Sequence, residues 1–204
     1  SWKLPEPEEH VSLAGLELLW IEGNLTALEK LATCCSKLES LIIANWEPKA
    51  GELLPLSGLK NLHSLTIAES SLSSLSSIEI PTSLHHLYLP ACDTLSDIKD
   101  LLKLTNLKSL SLAQCMHVRD LEILNEIEGL YHLSPPPVIS QQEFLELIDG
   151  QQQLEVLELI GCERIQDISP LKKALDLRIL LLQLEYEQLA GLDMLDQLEL
   201  IVLE

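Results

Sequence analysis

A leucine pattern repeats along almost the whole chain, and it restricts the possible fold more than any other feature of the sequence. Written as L-x-x-L-x-L, the pattern begins at nine places that are 21 to 24 residues apart. The first leucines of the nine copies are Leu16, Leu38, Leu62, Leu84, Leu107, Leu130, Leu154, Leu177 and Leu198. Self-similarity at such a period is typical of a solenoid built from short stacked units.

The spacing inside each copy predicts a short strand. We number positions from the first leucine, so that positions four and six carry the next two apolar residues. Because successive side chains of a strand point to opposite faces, positions four and six enter the core, and positions three, five and seven face outward. One strand cannot bury its own apolar side, so neighbouring copies must stack into a parallel sheet. Pro135, at position six of the sixth copy, is the one break in the pattern.

Position nine carries a second recurring signal, an asparagine or a cysteine, at Asn24, Cys92, Cys115 and Cys162. The three cysteines are followed by similar tails, LSDI, VRDL and IQDI, in which an aspartate can cap the return segment. With these motifs the chain resembles the leucine-rich-repeat family over residues 11–204. Its mixed repeat lengths are similar to those of bacterial and intracellular members.

The resemblance implies an α/β solenoid of about nine repeats, with a curved parallel sheet on the concave face and short helices or 3₁₀ turns on the convex face. It also implies that the position-nine side chains form a structural ladder inside the turns that follow the strands. We expect convex helices at residues 26–35 and 141–150, the second with Phe144, Leu145 and Ile148 facing inward.

The two ends of the chain lie outside the regular pattern. Residues 1–10 predict an arm or the remnant of an N-terminal cap, with Trp2 covering the first repeat. The strand pattern runs to Glu204 without a polar capping repeat. We therefore expect a single domain over residues 11–204 that continues or is capped beyond residue 204.

The outward positions predict a surface for a protein partner. They are polar in the middle repeats and apolar in the last ones, and a contiguous exposed apolar patch usually marks an interface or a face covered by a flanking domain. Trp20 and Tyr88 are the best single candidates, because rigid aromatic residues dominate binding hot spots. The full set of candidate contacts is Trp20, Ile42, His86, Tyr88, His132, Val156, Ile160, Ile179 and Leu181.

Three consecutive prolines, Pro135–Pro137, fall where the sixth strand is expected. They remove three backbone donors from the ladder, so we expect a distorted repeat there. The sequence leaves open whether the segment is a recognition loop or a bend in the solenoid.

Little in the sequence indicates chemistry. His63 and His85 hold position two of adjacent strands, but the same position of the next strand is Lys108, and a metal needs three or four ligands. We expect no metal, no cofactor and no catalytic residue, since the chain carries none of the phosphate-loop, nucleophile-elbow or zinc-helix motifs. Cys34 and Cys35 are adjacent and are expected to pack rather than to pair.

Composition limits the partner and the compartment. A net charge of −19 with only 13 Lys and Arg residues argues against nucleic acid and anionic membranes, and leaves a basic protein partner open. No apolar run approaches the ~20 residues of a membrane span. Five cysteines, an odd number, favour a reducing compartment, so the cytoplasm is expected, with the cytosol of a host cell as the alternative for an exported effector.

These observations favour a non-catalytic interaction or ligand-sensing module, such as the sensor part of a larger multidomain protein. The alternative is the target-recognition domain of a bacterial effector or of a ubiquitin-ligase-like enzyme. The sequence does not name the partner, because a solenoid is a scaffold and its specificity lies in its surface residues.

Overall fold

A computed structural model describes residues 13–23, 34–183 and 195–203 of the chain. The expected N-terminal arm with Trp2, the ladder residue Asn24, nearly all of the expected helix at residues 26–35, and Glu204 lie outside the described residues.

The described chain forms one nine-stranded sheet, in which every strand lies parallel to the next and the spatial order follows the sequence order. The predicted nine-repeat leucine-rich-repeat solenoid is therefore confirmed. Equivalent repeat positions lie side by side, as Leu41, Leu65, Leu87 and Leu110 do along the sheet. The strands are β1 Leu18–Glu22, β2 Ser40–Ala44, β3 Ser64–Ala68, β4 His86–Tyr88, β5 Ser109–Ser111, β6 His132–Ser134, β7 Val156–Leu159, β8 Ile179–Leu182 and β9 Leu200–Leu203.

The core lies behind the sheet and is filled mainly by the leucines of the repeat. From β2 to β8, the side chains at position four are completely buried, as are nearly all those at position six. Ile201, at position four of β9, departs from the expectation and is 38% exposed. No later strand in the described part of the sheet packs against it.

The convex side carries short 3₁₀ segments and the predicted helix α1, Gln141–Gly150. The hydroxyl of Ser140 accepts from the Glu143 amide, and the Glu143 carboxylate accepts from the Ser140 amide, which satisfies two donors at the helix start. The inward face of α1 is formed by Phe144, Leu147 and Ile148. Leu145, which was also expected to face inward, is only half-buried. The 3₁₀ segments are Leu75–Ser77, Lys99–Lys103, Leu121–Asn125 and Ser169–Lys173. Among the described residues, we find no helix with the length and apolar character to cross a bilayer.

The sixth repeat keeps a strand, but its pairing with the next repeat is shortened, in agreement with the expectation that the prolines distort this repeat. β6 is as long as β4 and β5 and ends at Ser134, one residue before Pro135. In the two preceding repeats the amide at position six, Leu89 or Leu112, donates to the next strand, at 2.9 and 2.8 Å. Pro135 has no N–H to make that bond. The ladder from β6 to β7 therefore loses one rung, while Pro135 itself is buried in the core.

Position eight takes the left-handed backbone conformation, which the sequence pattern did not reveal. Its φ angles lie between 51° and 83° at Gly23, Asn45, Glu69, Ala91, Gln114 and Gly161. In the first four of these repeats the position-eight amide donates to the carbonyl at position seven of the next repeat. The sixth repeat carries Pro137 at position eight, and the proline ring locks φ near −65°. That repeat must therefore leave its strand by a different turn.

Replacing Gly161 with alanine is expected to lower the free energy of unfolding by about 1 kcal/mol, because a Cβ is unfavourable in the left-handed region. The added Cβ meets Pro137 only at 3.7 Å, an ordinary contact, so the effect reports backbone strain. Urea denaturation measures it. Gly15→Ala, where φ is not left-handed and nothing lies within 4 Å, is the control, and an equal loss in both variants would contradict the assignment.

Candidate interaction surface on the concave face

The outward side chains of β1–β9 form the concave face, and the predicted contact residues are spread along it. Trp20 is 67% exposed near one end, and the half-buried Ile42 lies directly beside it on β2. His86, Tyr88 and His132 come together at the centre. The half-buried apolar residues Val156, Ile160, Ile179 and Leu181 follow on β7, β8 and the turn between them.

The centre of the face is an aromatic cluster that spans three repeats. The rings of His86 and Tyr88, on β4, are parallel within 4°, with their centroids 6.5 Å apart. Tyr88 also reaches His132 on β6, at 6.3 Å between centroids. Tyr131, which the sequence analysis did not select, lies edge-on to His86 at 6.5 Å. The contact between Tyr88 and His132 passes over the intervening strand β5.

Serines on β5 and β6 form the floor beneath these rings. Ser109, Ser111 and Ser134 occupy outward positions, yet they are only 1%, 8% and 4% exposed. Their small side chains let the neighbouring rings lean over β5, which covers them. The sequence pattern predicts that these serines face solvent. It describes one repeat at a time, so it contains no information on side chains that reach from one repeat to another.

Two polar atoms at the centre of the face, Ser109 Oγ and His86 Nδ1, are buried without a hydrogen-bond partner among the described residues. A buried polar atom without a partner costs roughly 1–3 kcal/mol. Native structures contain few such atoms.

Glu158 adds a negative charge to the edge of the cluster. Its Oε1 lies 2.9 Å from His132 Nε2, and the side chain is 30% exposed. The hydrogen bond from His132 is the main cause that holds the pKa of Glu158 below its usual range, and burial opposes it. Glu158 is therefore ionised at neutral pH. The pattern of the repeat placed it on the outward face but offered no signal for its pairing with His132.

The cysteines at position nine lie in the core beside the turns. The Sγ of Cys92 donates to the Ile67 carbonyl at 3.3 Å, and that of Cys115 donates to the Leu89 carbonyl at 3.0 Å. Each thus bonds the position-six carbonyl of the preceding repeat. For Cys162 the equivalent residue is Pro135, and its Sγ lies 3.9 Å from the Ile160 carbonyl instead. Trp46 and Ser70, both buried, hold the same position in the second and third repeats, and the asparagine-or-cysteine pattern missed them.

The two features nearest to metal or disulfide chemistry are a histidine pair and the five cysteines. The rings of His63 and His85 are 5.2 Å apart, but no group of three His, Cys, Asp or Glu residues within the described ranges is arranged to hold a metal ion. All five cysteines are free thiols. Burial raises the pKa of Cys92 to about 11 and those of Cys115 and Cys162 to about 12, so these three thiols stay protonated.

No protein-family model matches the sequence, and no curated protein matches it. Solved structures do resemble the chain. Internalin C2 from Listeria monocytogenes aligns with a TM-score of 0.60 at 21% identity, over 94% of this chain and 82% of that one. The leucine-rich-repeat domain of the type III effector XopL aligns with a TM-score of 0.57 at 19% identity, over 93% and 76%. A leucine-rich-repeat protein of Leptospira interrogans aligns at 0.54 and 18%, over 95% of this chain and 47% of its own length. At these identities the likeness establishes the fold alone.

The burial of the position-nine thiols predicts a clear order of alkylation. At pH 8 iodoacetamide should modify the half-buried Cys34 of the native protein first, while Cys92, Cys115 and Cys162 stay unmodified, because only thiolates react and these thiols are protonated and shielded. Peptide mass spectrometry measures the modification, and denatured protein is the control in which all five thiols should react. Early modification of Cys115 in native protein would contradict the buried placement.

The imidazole cluster predicts a loss of stability in mild acid. Burial is the largest cause that lowers the pKa of His86 below 6.5, and the neighbouring His85, His132 and His63 lower it further. The folded state then binds fewer protons than the unfolded state, so this contribution to stability is complete above about pH 6.5 and is lost as the pH falls through the lowered pKa.

His86→Gln should therefore reduce the drop in urea midpoint between pH 7.5 and pH 5.5, relative to the parent protein. His117→Gln is the matched control, because His117 is exposed and lies outside the cluster. If His86→Gln kept the whole of the parent's drop, His86 would not be its source.

Proposed function

We propose that this leucine-rich-repeat solenoid is a non-catalytic interaction module that binds a protein partner through its concave face. The observation that carries the proposal is the continuous outward surface from β4 to β8, where an aromatic cluster adjoins a patch of aliphatic side chains. Hot spots of protein interfaces combine rigid aromatic anchors with apolar surroundings that exclude water.

A sensor role in a larger multidomain protein is the form of this function that we favour, acting in the cytoplasm. Five free thiols suit a reducing compartment, since secreted proteins usually oxidise theirs. The strong negative charge suits a basic partner, and it disfavours nucleic acid as the ligand. A further part of the same polypeptide is the other candidate occupant of the surface, and the experiment below separates it from a partner protein.

A second candidate is a target-recognition domain of a bacterial effector, the substrate-selecting part of a ubiquitin-ligase-like enzyme being one case. The similarity to the leucine-rich-repeat domain of the type III effector XopL favours it. The same concave face would then select the target, and the host cytosol would be the compartment. Both candidates place recognition on the same residues, so they share the first test.

The double variant Tyr88→Glu with Ile179→Glu should lose at least tenfold of partner capture, which corresponds to about 1.4 kcal/mol of binding free energy. The physical reason is that each glutamate puts a charge into the apolar surface that a partner would desolvate. Affinity capture from cytosol, quantified by mass spectrometry, measures the loss for each captured protein.

A second double variant, Leu102→Glu with Leu175→Glu, is the matched control. It changes two leucines on the convex side that are 44% and 66% exposed. Circular dichroism checks that both variants keep the fold. A partner that both variants capture equally well would place the interface elsewhere, and no capture by the parent would favour a surface that is covered by another part of the polypeptide.

A further inference from the structure

We propose that the four side chains His86, Tyr88, His132 and Glu158, here called the aromatic-carboxylate cluster, bind a guanidinium group carried by a basic partner. The inference rests on the proposed function, because it names the chemistry of the partner at the centre of the same concave face. It is carried by the charge of Glu158, by the arrangement of the rings, and by the polar atoms that the cluster leaves without partners.

Glu158 supplies the negative charge in a half-buried place that is still open to a ligand. Its Oε1 contacts His132 Nε2 at 2.9 Å, and 30% of the side chain is exposed. The lowered pKa keeps the carboxylate charged. A carboxylate has about four acceptor sites and binds an arginine fork through two of them, so the contacts with His132 and Ser134 leave room for a cation.

The rings supply the second half of a cation site. Tyr88 stands between the parallel ring of His86 and the ring of His132, 6.5 and 6.3 Å away between centroids. A cation within about 6 Å of an aromatic centroid is attracted by the negative face of the ring, by ~0.5–2 kcal/mol. A planar guanidinium also stacks on such faces, which an ammonium does not do. The geometry therefore favours arginine over lysine.

The cluster is poorly explained as a device for stabilising the chain itself. Ser109 is 1% exposed and its hydroxyl has no partner among the described residues, and His86 Nδ1 is equally unpaired. A neutral imidazole nitrogen can accept a hydrogen bond, and the lowered pKa keeps His86 neutral at pH 7. A guanidinium carries five donors and no acceptor, which complements the Glu158 carboxylate; Ser109 Oγ and His86 Nδ1 are enclosed and can accept from it only when the rings around them shift.

The charges around the cluster favour a cation as well. Lys108, the residue before β5, carries its ammonium against Gly129, within 2.7 Å of where a Cβ of that glycine would lie. Arg178 is paired with Glu199 at 2.8 Å. Neither cation contacts Glu158 in the structure, and the chain as a whole carries a charge of −19. An arriving arginine therefore meets a negative surface and an available carboxylate.

Aliphatic side chains on β7 and β8, close to Glu158, suggest which residue lies next to the arginine in the partner. Val156 is two positions before Glu158 on β7, and Ile179 and Leu181 lie beside these two residues on β8. All three aliphatic side chains are half-buried and face the same side as Glu158. A partner segment with arginine next to a leucine would place its charge on the cluster and its apolar side chain on this patch.

The probe for the experiment is the capped dipeptide acetyl-arginyl-leucinamide, titrated into the protein at pH 7 and followed by NMR of the tyrosine and histidine rings. We expect saturable shifts at Tyr88 and His132 with a Kd in the millimolar range, as suits so small a ligand. Acetyl-citrullyl-leucinamide, which has nearly the same shape without the charge, should bind at least tenfold more weakly.

Two variants complete the test. Glu158→Gln keeps the size of the side chain and should weaken binding of the arginine probe at least tenfold, whereas Glu155→Gln, at an exposed position two of the same repeat, should leave it unchanged. Equal binding of the arginine and citrulline probes, an unchanged Kd in Glu158→Gln, or shifts confined to residues outside the cluster would overturn the inference.

The outcome is separable from that of the proposed function. If capture of a protein is lost in the variant Tyr88→Glu with Ile179→Glu but kept in Glu158→Gln, the concave interface is supported and the guanidinium site is contradicted. If capture of a protein is unaffected by all three substitutions, the concave interface itself is contradicted.

Discussion

The stacking of leucine side chains between neighbouring repeats is the interaction on which the rest of this structure depends. A strand of three to five residues offers one or two inward side chains, too few to enclose a core. Leu41, Leu65 and Leu87 are fully buried because each lies beside its equivalent in the next repeat. At ~1.5–3 kcal/mol for each fully buried leucine, this packing dominates every other contribution and sets the register of the sheet. The outward positions are then free to vary without affecting the core.

The period of the leucines is sufficient to predict the strands, their order and their pairing. It works because a side chain one residue out of register would point to the wrong face, so the apolar pattern and the sheet register carry the same information. Helix α1 was predictable for a similar reason, since its apolar residues have helical spacing and a serine stands before it. Leu145 was misassigned because Leu145 and Leu147 flank the direction of Phe144 and Ile148 at equal angles, and the helix is turned so that Leu147 is the buried one.

The parts of the site that could not be predicted depend on distances across repeats. The contact of Tyr88 with His132 joins side chains two strands apart, and it exists because Ser109 and Ser111 between them are small. A pattern read one repeat at a time contains no sign of it. The left-handed turn at position eight was hidden in another way, because Asn45, Glu69, Ala91 and Gln114 share a backbone conformation and no side-chain chemistry. Only the glycines at the equivalent place, Gly23 and Gly161, hint at it.

The prolines of the sixth repeat also bear on how the solenoid behaves as a one-dimensional array. Repeat arrays gain their cooperativity from nearest-neighbour coupling, and the array divides most readily where that coupling is weakest. The junction after β6 lacks one ladder bond at Pro135 and the common turn at Pro137, and it lies next to the displaced Cys162 bond. This seam separates a block of six repeats from a block of three. Side chains bridge this junction where the ladder is short: Gln141 bonds the backbone of Gln166 and Asp167 on the convex side, and His132 meets Glu158 on the concave side. Any molecule that binds both His132 and Glu158 would add to that coupling.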